Sequence, residues 1–353
     1  DWSSDVCSSD LIEPFPELPL LSERMKSSIG DCDLVEDFLD RLRETGQHEM
    51  FLVSVRMLSG VLSPEQAGSA FAAIAEGLIR ITLDDVYRRF GRDHGFVKGG
   101  RLAVLGMGRL GSQEMTATSD LDLVVLYDFD PDCLESTGAR PLDPIVYFGR
   151  LTQRLISALT VPTRRGTLYA VDMRLRPSGN KGPAATQYRG FLDYHFGNEA
   201  DLWEHLALVR ARPVAGDPSF MSEVTEALQK ILTKPLDIRA IRKGARDMRE
   251  LLAREKGNQE PWDFKHVAGG LMDIEFVAQA LVLEQGATHP DLIASKTTNI
   301  LTNAKQLGLL SGTETKHLIN AYSLMRDMMQ WLRAMVSGDF DPRHADHALL
   351  KRL

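Results

Sequence analysis

Apolar residues recur at helical spacing in the first part of the chain, alternate at strand spacing in the middle, and return to helical spacing after Pro218. From Leu34 to about Gly60 the stripe runs through Phe38, Leu39, Leu42, Phe51, Leu52, Val55 and Leu58. From Ser63 to about Gly91 it runs through Phe71, Ile74, Leu78 and Ile81, and Ser63-Pro-Glu supplies an N-cap, a proline at the first helical position and an early acid. Strand signals begin with Arg101-Leu-Ala-Val-Leu105 and resume in Leu121-Asp-Leu-Val-Val-Leu-Tyr127. A third strand is predicted over Thr167–Pro177, where Tyr169, Val171, Met173 and Leu175 alternate with Ala170, Asp172, Arg174 and Arg176. Asp143-Pro-Ile-Val opens a segment to Leu159 with a cap, a proline and an apolar stripe, so a crossover helix joins the second and third strands. After Pro218, helices are predicted over 219–232, 236–256, 270–286 and 313–337, with no heptad or fixed-period repeat.

The expected architecture is therefore α+β. A helical preamble spans 22–95, a domain built on a small mixed sheet spans 96–217, and a helical bundle spans 218–353, expected to be cut short at its carboxy end. Residues 1–21 are set aside as non-native or disordered: Asp1-Trp-Ser-Ser-Asp-Val-Cys-Ser-Ser-Asp-Leu11 resembles translated sequencing-adapter sequence and has neither the basic start nor the apolar run of a signal peptide.

The candidate chemistry gathers at the strands. Ser119-Asp120-Leu121-Asp122 puts two carboxylates on one face of a strand mouth, with Leu121 and Leu123 on the other. Paired acids repel unless a cation lies between them, and Mg²⁺ (or Mn²⁺) suits one or two carboxylates completed by waters and substrate phosphates. The turn before them, Gly106-Met-Gly108-Arg109-Leu-Gly111-Ser112, has glycines that bring backbone N–H groups close to a phosphate chain. Asp172, on the third strand, completes a set of three acids able to hold two metal ions for an in-line nucleotidyl displacement, with Arg174 and Arg176 beside it for the triphosphate or the leaving pyrophosphate. The spacing Gly106, Gly108, Gly111 also fits a dinucleotide fingerprint, with Asp128 or Asp130 as its ribose acid, but that alternative leaves Asp120, Asp122 and the Asp-x-Arg-x-Arg segment without a role.

Five blocks in order, Gly106-Met-Gly-Arg-Leu-Gly111, Thr118-Ser-Asp-Leu-Asp-Leu123, Tyr169-Ala-Val-Asp-Met-Arg-Leu-Arg-Pro-Ser-Gly179, Trp203-Glu-His-Leu-Ala-Leu-Val-Arg-Ala-Arg212 and Gly269-Gly-Leu-Met-Asp-Ile-Glu-Phe276, resemble the glutamine synthetase adenylyltransferase family of DNA-polymerase-β-like nucleotidyltransferases. The resemblance covers about residues 95–285. It implies a nucleotidyltransferase fold with Asp120, Asp122 and Asp172 as catalytic and metal-holding residues. It also implies a nucleotide site formed by Gly106, Gly108, Arg109, Gly111, Ser112, Ser119, Arg174, Arg176 and Lys265. The implied reaction moves AMP from ATP to a tyrosine of glutamine synthetase and releases pyrophosphate, in control of nitrogen assimilation. Members of this family are bifunctional, with one half that removes AMP by phosphorolysis and one that attaches it. The Trp-Glu-His wording with Gly216-Asp-Pro218 resembles the carboxy-terminal, attaching half, and one block set in the chain implies a single half. The PII signalling protein is the partner implied for the full-length enzyme. Alternatives that stay open are a uridylyltransferase acting on PII, the adenylyl-removing half, and a regulatory module without turnover.

Other residues change the picture less. Asp273 and Glu275, two apart on a predicted helix, do not share a face and are not expected to chelate one ion. His205 is expected to be structural, and His344 and His347 form a polar segment with no further ligand cluster. A net charge of −8 argues against a nucleic-acid template as partner. Cys7, Cys32 and Cys133 are odd in number and lack metal spacing, so a reducing cytoplasm is expected, and no apolar run is long enough for a membrane helix.

Overall fold

The computed structural model describes residues 15–336, apart from 198 and 258, and residue 340. The adapter-like segment, Cys7, His344 and His347 lie outside the described residues.

Three helices come first: α1 (Leu18–Ile29), α2 (Val35–Leu58) and α3 (Pro64–His94). The α3 start is a full capping box, in which Gln66 N–H donates to Ser63 Oγ and Ser63 N–H donates to Gln66 Oε1. Helix α1 begins inside the segment that the sequence sets aside, because Leu21 and Met25 are fully buried against the other two helices.

The sheet follows. Its strands are β1 (Arg101–Gly106), β2 (Leu121–Asp128), β3 (Val171–Asp172), β4 (Ala185–Gln187) and β5 (Arg212–Gly216). The order is β3-β2-β1-β5, with β4 also on β2; β1 is antiparallel to β2 and β5, while β3 and β4 are parallel to β2. A parallel neighbour requires a crossover, and α5 (Pro144–Thr160) provides it between β2 and β3. Its Asp143 N-cap carboxylate accepts from the N–H groups of Ile145 and Val146, as the cap-and-proline pattern predicts.

Period-2 alternation gives the sheet two different faces. Leu102, Val104, Leu121, Leu123, Val125 and Tyr127 pack toward α1, α2, α3 and α5. Ala103, Leu105, Val124 and Leu126 pack the other way. That second face is covered by α6 (Tyr188–Phe196), α7 (Leu202–Leu208) and the helices that follow: α8 (Pro218–Leu232), α9 (Ile238–Lys256), α10 (Leu271–Gln285), α11 (Thr297–Gln306) and α12 (Gly312–Met335). Asp122 has the parity of Val124 and Leu126, so its carboxylate points to the side that the helical domain covers. All four predicted bundle helices appear within two residues of their expected ends; the short α11 went unpredicted.

The outer edge at β5 is closed from α3. Arg80 Nε donates to the Val214 carbonyl at 2.7 Å, and Glu76 accepts from both Arg80 (2.6 Å) and Arg212 (2.8 Å). Arg43, fully buried on α2, donates to the carbonyls of Gly166 (3.0 Å), Ala158 (3.1 Å) and Val161, fixing the chain that leads into β3.

One prediction needs correction. The alternating segment 167–177 is not a full strand: only Val171 and Asp172 pair with β2. The Asp172 carboxylate accepts from the Arg174 N–H at 2.8 Å, an Asx-type turn that satisfies the backbone locally and bends the chain away before Pro177. Tyr169, Val171 and Met173 still pack into one core, but Leu175 packs on the opposite side, and the hydrogen-bond ladder stops.

Candidate active site

The register of β2 against β3 places Asp122 directly opposite Asp172. Asp120 lies just before β2 with the same side-chain parity. Carboxylate oxygens of Asp120, Asp122 and Asp172 all lie within 4.8 Å of one another, with Asp120 exposed and the other two half-buried. Of the predicted residues, these three are the ones brought together most tightly.

Burial, then Asp120, then Asp172 push the Asp122 carboxyl up to about 6, against the pull of Lys265 and Arg210. Burial alone would raise Asp172 too, but hydrogen bonds and charge from Arg174 outweigh it and hold that carboxyl below its usual range. Arg174 donates through Nε at 2.7 Å and Nη2 at 2.5 Å to the same Asp172 oxygen. Two carboxylates that crowd a half-buried third are the donor set a hard divalent cation stabilises, so the residues present fit Mg²⁺ or Mn²⁺.

Asp122 has a consequence for stability. Its folded value of about 6 exceeds the ordinary 3.8, so the folded state holds that proton more tightly than the unfolded chain. Its ionisation costs stability as pH rises through the window from 3.8 to about 6, and the cost is complete above it. In metal-free buffer, Asp122→Asn is expected to melt higher than the unsubstituted protein at pH values well above that window, with the gap closing as pH falls through it. Thermal melts across that range check this; a gap that is absent or that widens on acidification contradicts it.

The turn from β1 is shaped by close contacts. Met107 N–H donates to the Asp122 carbonyl at 2.9 Å, and residues Gly108–Gly111 form a single helical turn, α4. Gly108 has φ +49°, and a Cβ there would sit 2.4 Å from Asp122 Oδ2, so the glycine lets the turn and the acid share this space. A Cβ on Gly111 would lie 1.7 Å from the Arg210 carbonyl oxygen. Ser112 is buried and its Oγ accepts from Arg210 Nη2 at 2.9 Å, so it braces the turn and does not face the acids. Ser119 Oγ accepts from Thr116 N–H at 2.9 Å and shapes the approach to Asp120.

A cleft of about 1420 Å³ opens between the sheet domain and the helical domain, lined among others by Gly108, Arg109, Asp120, Asp122, Arg210 and Lys265. Arg109 reaches across to α12, where Nη2 lies 2.9 Å from the Met329 sulfur. Burial pulls it below the ordinary arginine range, opposed by Glu275. Lys265 is open to the cleft yet closely walled by protein; desolvation and then Arg109 lower its ammonium.

Several expectations are redistributed. Arg176 is committed to the carbonyls of Met173 (2.6 Å) and Gly182 (3.4 and 3.3 Å), holding the loop after β3 and not reaching the acids. Asp128 pairs with Arg101 and Asp130 with Lys98, each at 2.7 Å, so neither is a free ribose acid. Asp273 binds Arg249 and the Gly269 N–H, while Glu275 binds Arg210 at 2.7 Å, so the two acids diverge as the helical spacing requires. His205 is buried, with Nε2 3.3 Å from the His195 carbonyl. Arg210 is the residue that sequence reading missed. It stands in the Trp203–Arg212 block among neighbouring arginines, and nothing in the pattern separates a fully enclosed guanidinium from a surface one.

This sheet, with its carboxylates at the crossover edge and a helical domain over the same face, defines a nucleotidyltransferase fold. Comparison with known families narrows it. A family described as Glutamate-ammonia ligase adenylyltransferase matches residues 4–227, and one described as GlnD PII-uridylyltransferase matches residues 242–341. The chain belongs to the glutamate-ammonia ligase adenylyltransferase family. It is 45% identical over 348 residues to a bifunctional glutamine synthetase adenylyltransferase/adenylyl-removing enzyme of Bradyrhizobium sp. (strain BTAi1), covering 97% of this chain and 35% of that protein. To proteins of the same description it is 45% identical in Bradyrhizobium diazoefficiens (95% of this chain, 34% of that protein) and 44% identical in Rhizobium meliloti (96% and 34%). The chain thus spans about a third of the length of these curated relatives. Among the described residues, no helix is long and apolar enough to cross a membrane.

Proposed function

We propose that this chain carries a metal-dependent adenylyltransferase site that transfers AMP from ATP to a tyrosine of glutamine synthetase. The observation that carries the reading is the Asp122–Asp172 register, which gathers three carboxylates beside a glycine turn at the mouth of a cleft. The names of the relatives supply the protein substrate.

Asp120, Asp122 and Asp172 would hold Mg²⁺ or Mn²⁺. Such ions, when bound, neutralise phosphoryl oxygens and lower the pKa of a coordinated hydroxyl. The chain's own residues do the rest. The backbone of Gly108 and Arg109, where the turn lines the cleft, receives the triphosphate, with the Arg109 and Lys265 side chains as its cationic wall. The nucleoside lies along the apolar side of the cleft, formed by Trp203, Leu206, Trp262, Phe264 and Phe276. A tyrosine hydroxyl, of ordinary pKa about 10, attacks the α-phosphorus. The tyrosine oxygen–phosphorus bond forms, the bond to the bridging oxygen breaks, and pyrophosphate leaves with the electron pair. The hydroxyl proton passes to water on the open side of Asp120. Asp172, held ionised by Arg174, suits a ligand role better than that of proton acceptor.

The reading assigns the chain to the attaching half of the bifunctional relatives, with PII as a regulator of the longer enzyme; the match of residues 242–341 to a PII-uridylyltransferase family supports a helical domain of that kind. The test is incubation with labelled ATP, Mg²⁺ and glutamine synthetase. Label on tyrosine with pyrophosphate release is expected, UTP should not substitute, and adenylylated glutamine synthetase plus phosphate should yield no appreciable ADP. Robust ADP formation, abolished by Asp120→Asn, would reassign the chain to the removing half.

A further inference from the structure

Under the nucleotide turn lies a largely buried polar network, of which Arg210 and Glu275 also border the cleft. Arg210, 7% exposed, donates through Nη2 to Ser112 Oγ at 2.9 Å and pairs through Nη1 with Glu275 Oε2 at 2.7 Å. Glu114, also 7% exposed, has Oε2 3.9 Å from Arg210 Nη2. The Tyr322 hydroxyl joins the two acids, donating toward Glu114 Oε2 (3.1 Å) and Glu275 Oε1 (3.3 Å). Ser112, Glu114 and Arg210 belong to the sheet domain, whereas Glu275 is on α10 and Tyr322 on α12. The backbone leans on the same residue, since the Arg210 carbonyl abuts Gly111 closely enough to exclude any side chain there.

We propose that Arg210 is a positioning residue for the nucleotide turn, and that its anchorage to Glu275 and Tyr322 lets the helical domain set the affinity of that turn for a nucleoside triphosphate. The inference rests on the nucleotide-binding reading of the turn. The Arg210 guanidinium holds Ser112 and the Arg210 backbone abuts Gly111, so a change in how Arg210 is seated shifts the turn that carries Gly108 and Arg109 into the cleft. Of the guanidinium's three side-chain partners, Glu275 comes from the helical domain, and Tyr322 joins from the same domain through the two acids. A largely buried charge that loses a partner is costly to leave unpaired, so the network has few arrangements available. Tyr322 does not line the cleft, so any effect it has on nucleotide binding must travel through Glu114, Glu275 and Arg210.

The test uses the full chain with Tyr322→Phe and Glu275→Gln, and Leu324→Ala as an exposed control on the same helix. Magnesium-ATP affinity is measured by calorimetry well below each melting temperature, alongside hydrogen exchange of residues 106–112. Loss of one buried hydrogen bond from the anchor should weaken ATP about fivefold in Tyr322→Phe, and more in Glu275→Gln. Exchange over 106–112 should quicken and the KM for ATP should rise, with turnover at saturation little changed; Leu324→Ala should alter none of these. Folded variants with unchanged affinity overturn the inference, as does a failure of both to fold, which would make the network a folding core only. If the unsubstituted chain binds no ATP, the nucleotide reading itself fails.

Discussion

Asp122→Asn is expected to lower AMP transfer by on the order of a thousandfold while leaving the fold intact. The substitution keeps shape and removes charge at the most enclosed member of the acid triad. That carboxylate is crowded by Asp120 and Asp172 and pushed up to about 6 by burial and these neighbours, so the folded chain gains nothing from its ionised form. Its charge is useful only when a cation shares the site. Asp120→Asn should behave alike, although its exposed position leaves more room for water to replace a lost ligand. Transfer of labelled AMP to glutamine synthetase, with circular dichroism and melting as folding controls, measures the effect. Either variant working at the unsubstituted rate with ordinary Mg²⁺ would falsify the carboxylate site.

Much of this geometry could be read from the sequence because it depends on periodicity. Parity along β2 tells that Asp120 and Asp122 share a face, and the capped, proline-opened stripe from Asp143 announces the crossover that makes β3 parallel to β2. The two-residue length of β3 could not be read in the same way. Alternation in 167–177 reports side-chain direction, and it cannot report that the Asp172 carboxylate captures the Arg174 N–H and ends the ladder. The same capture settles Arg174, which a strand reading leaves as one of two equivalent arginines; the chain's bend then sends Arg176 to loop carbonyls. Arg210 was invisible for another reason. Its partners Ser112, Glu114, Glu275 and Tyr322 are far apart in the sequence and meet only when the helical domain lies on the sheet. Long-range polar pairing leaves no local pattern.

Asp172 is expected to separate from its arginines in kinetics. Asp172→Ala should reduce the single-turnover rate on the order of a hundredfold with little loss of ATP affinity, since Asp172 stands opposite Asp122 on the crossover strand as a ligand of the acid cluster, while Arg109 and Lys265 form the cationic wall for the triphosphate. Arg174→Ala acts differently. Its guanidinium is largely exposed and reaches Asp172 from the solvent side, so its loss frees the carboxylate to rise toward an ordinary value and removes a cation from beside the acid cluster. The result should be a higher KM for ATP and a loss of rate at low pH that the unsubstituted protein does not show. Arg176→Ala should act mainly through the loop after β3, whose carbonyls at Met173 and Gly182 it holds, and so should alter stability before it alters nucleotide handling. Ligand titration combined with single-turnover rates resolves the three. An Asp172→Ala protein that no longer binds ATP but keeps its chemical rate would reverse the assignment, moving Asp172 to the triphosphate and leaving Asp120 and Asp122 alone at the reacting phosphorus.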